Sequence, residues 1–284
     1  MKTILITGAS GLLGGDIVRQ LVKTDNKVFA AIMPIEKATY KPLEGVDVVL
    51  NDDIFNGNLP HIDAVINCAF ARSNNAVDLA NGLDFTRKLI NGFELSDIDG
   101  IINISSQGVY KRLPMGEFCK EDSPIDPMDL YSMAKYSVEK MFEIAKLKNY
   151  TNVRLASINM RQRFLYKFVE CVKAGRPISL NSPNVYASLL DVKDAAAALI
   201  ALALKPAGEW SPTYNLGTGS QYSLGEFAEV VKEVGIKLGY DAQIEINDNG
   251  NTATAGMDST LLQNATGWHP MYTNAMMVEE MFGW

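Results

Sequence analysis

Two tyrosine–lysine pairs stand four residues apart in this chain, Tyr131 with Lys135 and Tyr136 with Lys140. On a helix each pair shares one face, which sets an ammonium beside a phenol. A tyrosine ionises near pH ~10 and is a poor base at neutrality. A neighbouring ammonium, or the positively charged ring of a bound nicotinamide, favours the phenolate. Such a tyrosine can move the proton of a hydroxyl while hydride leaves or reaches the same carbon. Five residues turn a helix by roughly 140°, so the two pairs cannot face one pocket. Tyr-x-x-x-Lys arises readily by chance, and the spacing alone does not choose between the pairs, or between catalysis and surface packing.

A second constellation is Gly8, Gly11 and Gly14, spaced three apart. The apolar run Ile4–Ile6 precedes it and reads as a buried strand. Leu12, Leu13, Ile17, Val18, Leu21 and Val22 follow at helical spacing. On such a turn Gly8 permits the tight bend, Gly11 a close backbone approach to a ligand, and Gly14 the packing of helix on strand. The free N–H groups of the new helix then form a seat for a pyrophosphate. A glycine-rich turn that binds nothing is the structural alternative, and the strand before and helix after weigh against it. Ser105 and Ser106 close another apolar run, Ile101–Ser105, and so stand at a strand's C-terminal end, where ligands bind in parallel sheets.

The elements that must position these groups alternate. Lys27–Ile32, Val46–Leu50, Ala64–Ala69 and Ile101–Ser105 read as strands, with helices over Val77–Phe93 and Met128–Asn149 between and after them. Asp126 is the expected N-cap of the second helix, with Pro127 at its first position. This alternation predicts an α/β fold with a doubly wound, Rossmann-type parallel sheet. After Val153–Ile158 it weakens. A helix is expected over Arg163–Ala174, then the Gly175–Pro177 turn, Leu189–Asp194, an alanine-rich helix and Tyr214–Gly219.

Composition bounds the function. The chain has 284 residues, 47% hydrophobic and 21% charged, enough for a full core and ordinary for a soluble enzyme. A net charge of −7 argues against nucleic acid or an anionic membrane as partner. The apolar run Ala195–Leu204 is too short to span a bilayer, and no basic segment leads into an apolar N-terminus. Cys68, Cys119 and Cys171 are odd in number and far apart, which reads as reduced thiols in a cytoplasmic protein. His61 and His269 lie apart with no cysteine nearby, so no metal site is expected.

The Gly-x-x-Gly-x-x-Gly spacing with Thr7 in front resembles the short-chain dehydrogenase/reductase superfamily. From Lys2 to about Pro270 the chain is similar to its extended branch, the NAD(P)-dependent sugar epimerase/dehydratase family. Landmarks include Leu189–Asp194, Tyr214–Gly219 and Ala265–Pro270. The resemblance selects Tyr131 and Lys135, because Ser132 and Ala134 match its pattern and Val138 and Glu139, beside the second pair, do not. It selects Ser106, three residues before Val109 of the Val-Tyr pair, to orient the reacting oxygen. It places Gly8, Ser10, Gly11, Leu12, Leu13 and Gly14 around the cofactor's pyrophosphate, and Asp53 and Ile54 at the adenine. Ala69, Phe70 and Ala71 line the cofactor's middle, Tyr131 and Lys135 lie at its nicotinamide end, and Asn81 has a structural part. It further implies residues 1–158 as the dinucleotide-binding domain and 159–284 as mainly a smaller substrate lobe, with segments near 188–217 returning to the sheet. A homodimer through the helices Val77–Phe93 and Met128–Asn149 is expected, with Met141, Phe142 and Ala145 as added apolar surface.

The chain also departs from that pattern. Ile32 stands where an Asp would hold the ribose of NAD, and Met33 where many NADP users carry Arg. NAD or NADP both stay open; the missing carboxylate, with Lys37 nearby, leans toward NADP. Gln107 and Gly108 replace the Asp-Glu pair of dehydratases, which argues against sugar dehydration. Ala187 and the non-basic Asn251–Met257 stand where diphosphate-binding arginines are expected, and Arg161, Arg163 or Arg176 are the available replacements. The expected function is an NAD(P)-dependent oxidoreductase or epimerase acting on a secondary alcohol or ketone of a sugar or nucleotide sugar. Its alternatives are a reductase of a small non-nucleotide carbonyl compound and a catalytically silent, cofactor-binding regulatory protein.

Overall fold

The computed structural model describes residues 1–114, 116–159 and 164–284. Short apolar runs form strands and amphipathic runs form the helices that cross between them. Their order is β1 (Thr3–Thr7), α1 (Leu12–Leu21), β2 (Lys27–Ile32), β3 (Val46–Leu50), α2 (Asn51–Phe55), β4 (Ala64–Asn67), α3 (Ala76–Glu94), β5 (Ile101–Ser106), α4 (Leu130–Ile144) and β6 (Tyr150–Leu155). Then come β7 (Ser157–Ile158), α5 (Phe164–Lys173), β8 (Ile178–Leu180), β9 (Tyr186–Ala187), β10 (Leu189–Leu190), α6 (Val192–Ala203), β11 (Thr213–Leu216), β12 (Tyr222–Ser223), α7 (Leu224–Lys237), β13 (Ile244–Ile246), α8 (Thr260–Thr266) and α9 (Asn274–Phe282).

Seven strands form one parallel sheet in the order β11-β6-β5-β4-β1-β2-β3. This is the doubly wound α/β sheet expected from the alternation, with β11 returning from the C-terminal part. Successive strand residues point to opposite faces, and here both faces are buried. Ile4 and Ile6 pack into the layer of α1 and α6, whereas Leu5 packs into the layer of α3 and α4. A separate apolar core joins α5, α7 and α9 with β8. Among the described residues no helix is long and apolar enough to cross a membrane.

Two expectations need correction. The helix carrying the tyrosines begins at Leu130, not near Met128, because Asp129 rather than Asp126 caps it: the Asp129 carboxylate accepts the Ser132 N–H at 2.9 Å. It ends at Ile144, where Ala145 turns extended at φ −70° and ψ 150°. Phe142 is not spare surface but a fully buried core residue, while Met141 and Ala145 are half-buried against that core. The exposed apolar side chains on these two helices are Val77, Leu130, Met133 and Ile144.

A row of polar side chains crosses the sheet interior. Thr7, Asn67, Asn103 and Asn152 lie opposite one another on β1, β4, β5 and β6, and all are buried. Thr7 Oγ1 donates to Asn67 Oδ1 at 2.6 Å, Asn67 Nδ2 to Asn103 Oδ1 at 3.1 Å, and Asn103 Nδ2 to Asn152 Oδ1 at 2.8 Å. The hydroxyl of Thr7 also accepts the Ala69 N–H at 3.3 Å. The ladder therefore ties the loop after β4 to the glycine turn after β1.

Candidate active site

Gly8 sits at φ +65°, and an added Cβ would stand 3.0 Å from the Ala69 nitrogen. A Cβ on Gly14 would meet the Gly8 carbonyl oxygen at 2.3 Å, so no larger residue fits there without moving the turn. Gly11 closes the bend by donating its N–H to Gly8 O at 2.9 Å. No side chain caps α1 and its first turn has no acidic residue, so its leading N–H groups face the loop uncovered.

This turn forms one wall of an open cleft of about 490 Å³, within the range of small-molecule sites. Gly8, Ser10 and Gly11 meet Ile32 and Met33 from the end of β2, and Cys68, Ala69, Phe70 and Ala71 from the end of β4. A dinucleotide fits these residues: a backbone cradle that a Cβ would fill, helix N–H donors and apolar walls. Leu12, Leu13 and Gly14 are not part of that wall; Leu13 is buried in the core and Gly14 packs on the turn. Asp53 is not part of it either. Its carboxylate accepts the Leu50 N–H at 3.2 Å and so caps α2, while Ile54 is fully buried. Asn51 stands in the cleft wall instead, as do Asn81 and Asp78.

A second hollow adjoins the ends of β5 and β6. Ser106, Gln107, Tyr131, Arg72 and Ser157 line it. Ser106 caps a short 3-10 turn, Gln107–Val109, by accepting the Gly108 N–H at 3.1 Å. A Cβ on Gly108 would come within 2.3 Å of Ser132 Oγ, so glycine is what lets this turn lie against the start of α4. The Tyr131 N–H donates to Asn74 Oδ1 at 3.1 Å. Gln107 donates from Nε2 to Ser157 Oγ at 3.1 Å, and its Oε1 is buried with no partner among the described residues.

Phe70 joins the two hollows. Its ring lies 6.3 Å from that of Tyr131, centroid to centroid, and Lys135 Nζ stands 4.6 Å from its centroid. Lys135 is 4% exposed. Burial pulls its ammonium down to about 8, and the charge of Glu139 opposes this. Burial likewise pushes the Cys68 thiol up to about 12, against the influence of Lys135. Lys135 thus stays an ammonium at pH 7, close to its limit. The other pair is placed differently. Tyr136 leans on the core of the opposite layer, and Lys140 is a surface residue bound to Glu143 at 2.6 Å.

Behind the pocket lies a buried ion pair that spacing did not reveal. Arg154 Nη2 donates to Glu139 Oε2 at 2.8 Å and its Nε to Oε1 at 3.0 Å. Ser105 donates to the same Glu139 carboxylate, which makes it a strand-end anchor. Arg154 Nη1 also donates to Tyr110 OH at 2.9 Å, and Tyr110 donates to Asn215 at 2.7 Å. Burial works against the Arg154 charge, yet the bonds and charge of Glu139 hold it above its ordinary value. This network fixes α4 to β5, β6 and β11 around the catalytic candidates.

Elsewhere, Ala187 lies in β9, paired with β12, and carries no charge toward a ligand. Arg161 and Arg163 fall outside the described residues. On the surface the fold does bring acidic groups to His61, contrary to its isolation in sequence. Asp97 lies at 2.9 Å and raises its basicity, chiefly through their hydrogen bond, and ligand-type atoms of His61, Asp63 and Asp99 lie within 4.8 Å of one another.

Known proteins share this architecture. The sequence model of the NAD dependent epimerase/dehydratase family matches residues 4–217. The chain is 24% identical to the low-salt glycan biosynthesis protein Agl12 of Haloferax volcanii, over 95% of this chain and 94% of that protein. Its fold is similar to UDP-N-acetylglucosamine 4-epimerase from Bacillus cereus, with TM-score 0.81, 20% identity, and 99% and 98% of the two chains covered. It is also similar to the UDP-glucose 4-epimerase of Thermus thermophilus in complex with NAD, at TM-score 0.79, 19% identity and 99% coverage of each chain.

Proposed function

The chain belongs to the NAD dependent epimerase/dehydratase family, and from that premise we propose that it is an epimerase acting at a secondary alcohol carbon of a sugar or nucleotide sugar. The observation that carries this reading is Phe70, which lines the dinucleotide cleft and lies against Tyr131 and Lys135, with Tyr131 sharing the second hollow with Ser106. The names of the similar proteins, which describe sugar-nucleotide 4-epimerases, support the substrate class. A dinucleotide held at the glycine turn and between the walls of the cleft would supply the hydride acceptor and donor, epimerisation requiring that the hydride come back to the opposite face of the ketone.

The chain's own groups supply the proton traffic. Ser106 Oγ hydrogen-bonds the reacting hydroxyl and aims it at Tyr131. Tyr131, as phenolate, takes the hydroxyl proton when the carbon is oxidised and gives it back on reduction. The Lys135 ammonium favours that phenolate and, being buried, acts through a low dielectric. Gln107 and Gly108 stand where an acidic pair would drive elimination, which weighs against dehydration.

The test is direct. Purified protein with its own bound nucleotide is incubated with UDP-sugars, and interconversion of epimers is followed without added cofactor. Epimer exchange supports the reading. Steady consumption of free NADH or NADPH with a small ketone, and no epimer exchange, would favour the reductase reading, which the uncharged Ala187 also suits. We further propose a homodimer through α3 and α4, using Val77, Leu130 and Met133. Light scattering at micromolar concentration should return twice the chain mass.

A further inference from the structure

We propose that Glu36 selects NAD over NADP, supplying from the turn after β2 the carboxylate that β2 itself lacks. The inference rests on the dinucleotide reading of the cleft. At the end of β2, Ile32 is buried and apolar and Met33 is uncharged, so neither can meet a ribose hydroxyl with a charge. The chain then bends through a 3-10 turn, Pro34–Glu36, which brings Glu36 back to the mouth of the cleft beside Gly11 and Met33. Both carboxylate oxygens are held. Oε2 accepts the Met33 N–H at 2.8 Å, and Oε1 accepts the Ser10 hydroxyl at 2.6 Å. The second bond reaches into the glycine turn, so the carboxylate is fixed between β2 and the pyrophosphate seat.

Each carboxylate oxygen has acceptor capacity beyond one bond, so Glu36 can still accept from the hydroxyls of a ribose. A 2′-phosphate in the same place would bring like charge against it. The cations nearby do not relieve that conflict from within the cleft. Arg19 is paired with Asp16 at 3.0 Å and, with Lys41, borders a neighbouring hollow that shares Ser10, Gly11 and Glu36 with the cleft, but neither side chain lines the cleft itself. Lys37, the residue whose position leaned toward NADP, lines neither hollow.

The experiment uses the full chain stripped of nucleotide, titrated calorimetrically with NAD+ and with NADP+. The wild type should bind NAD+ tighter by about tenfold or more, a gap that narrows at high salt as the charge is screened. Glu36→Gln keeps size and hydrogen bonding but removes the charge, and should close most of the gap by tightening NADP+. A wild type that prefers NADP+, or a gap insensitive to both salt and Glu36→Gln, overturns the proposal. Binding of neither nucleotide instead overturns the cofactor reading beneath it. The salt series needs only wild-type protein, so the result stands even if the variant misfolds.

Discussion

Replacing Lys135 by methionine should make the nucleotide-free protein more stable while it destroys the enzyme. Burial lowers the ammonium from 10.5 to about 8. Because the unfolded chain binds this proton more tightly than the folded one, the charge opposes folding below pH 8. That cost fades between 8 and 10.5 and is absent above both values. At ~1.4 kcal/mol per tenfold, it amounts to roughly 3 kcal/mol at pH 7 and roughly 2 kcal/mol at pH 9. Methionine fills nearly the same volume without charge; what it forfeits is the contact with Phe70, on the order of 1 kcal/mol. Urea unfolding of Lys135→Met and the parent at the two pH values reads the difference. A variant less stable than its parent at pH 7, with a difference that does not change by pH 9, would refute the argument. The same variant should lose turnover and weaken cofactor binding, a trade of stability for function.

The two tyrosine–lysine pairs part company under mutation: Tyr131→Phe should lower turnover by about 10² or more with cofactor binding kept, and Tyr136→Phe should leave turnover nearly unchanged. Activity lost at Tyr136 alone would put the wrong face of α4 in the pocket. Gly11→Val, in a protein still folded by circular dichroism, should abolish nucleotide binding by calorimetry. Arg154→Met leaves Glu139 charged and buried, so denaturant unfolding should show a loss of about 3–5 kcal/mol; the double variant with Glu139→Leu should recover most of it.

Much of this site was legible in the chain because it is local. The glycine turn joins two adjacent elements, β1 and α1, and Tyr131 and Lys135 lie one turn apart on α4, so short-range spacing is enough to find them. Groups brought in from a distance were not legible. Glu36 enters the cleft through a turn that has no apolar period to announce it. Arg154 reaches Glu139 only once β6 lies against α4, and nothing in either segment marks the other as partner. The start of α4 differs from the expected one because Asp126-Pro127 and Asp129 both offer a first turn; the Asp129 carboxylate, which accepts from both the N–H and the hydroxyl of Ser132, decides between them. Asp53 follows β3 as expected, yet its carboxylate serves the backbone of α2.

The polar row Thr7–Asn67–Asn103–Asn152 also constrains how this lineage can change. Asn67 and Asn103 each donate to one neighbour and accept from the other, so replacing either by leucine strands two buried groups, at about 1–3 kcal/mol each. Exchanging all four for apolar residues would leave no partner stranded within the row and would cost only the Ala69 N–H its Thr7 acceptor, but the routes through Asn67 or Asn103 alone pass through a poorer intermediate. The row is therefore expected to persist or vanish as a block among descendants of this sequence. It is a marker of ancestry that drift erodes more slowly than the surrounding apolar positions, where isoleucine and valine exchange freely.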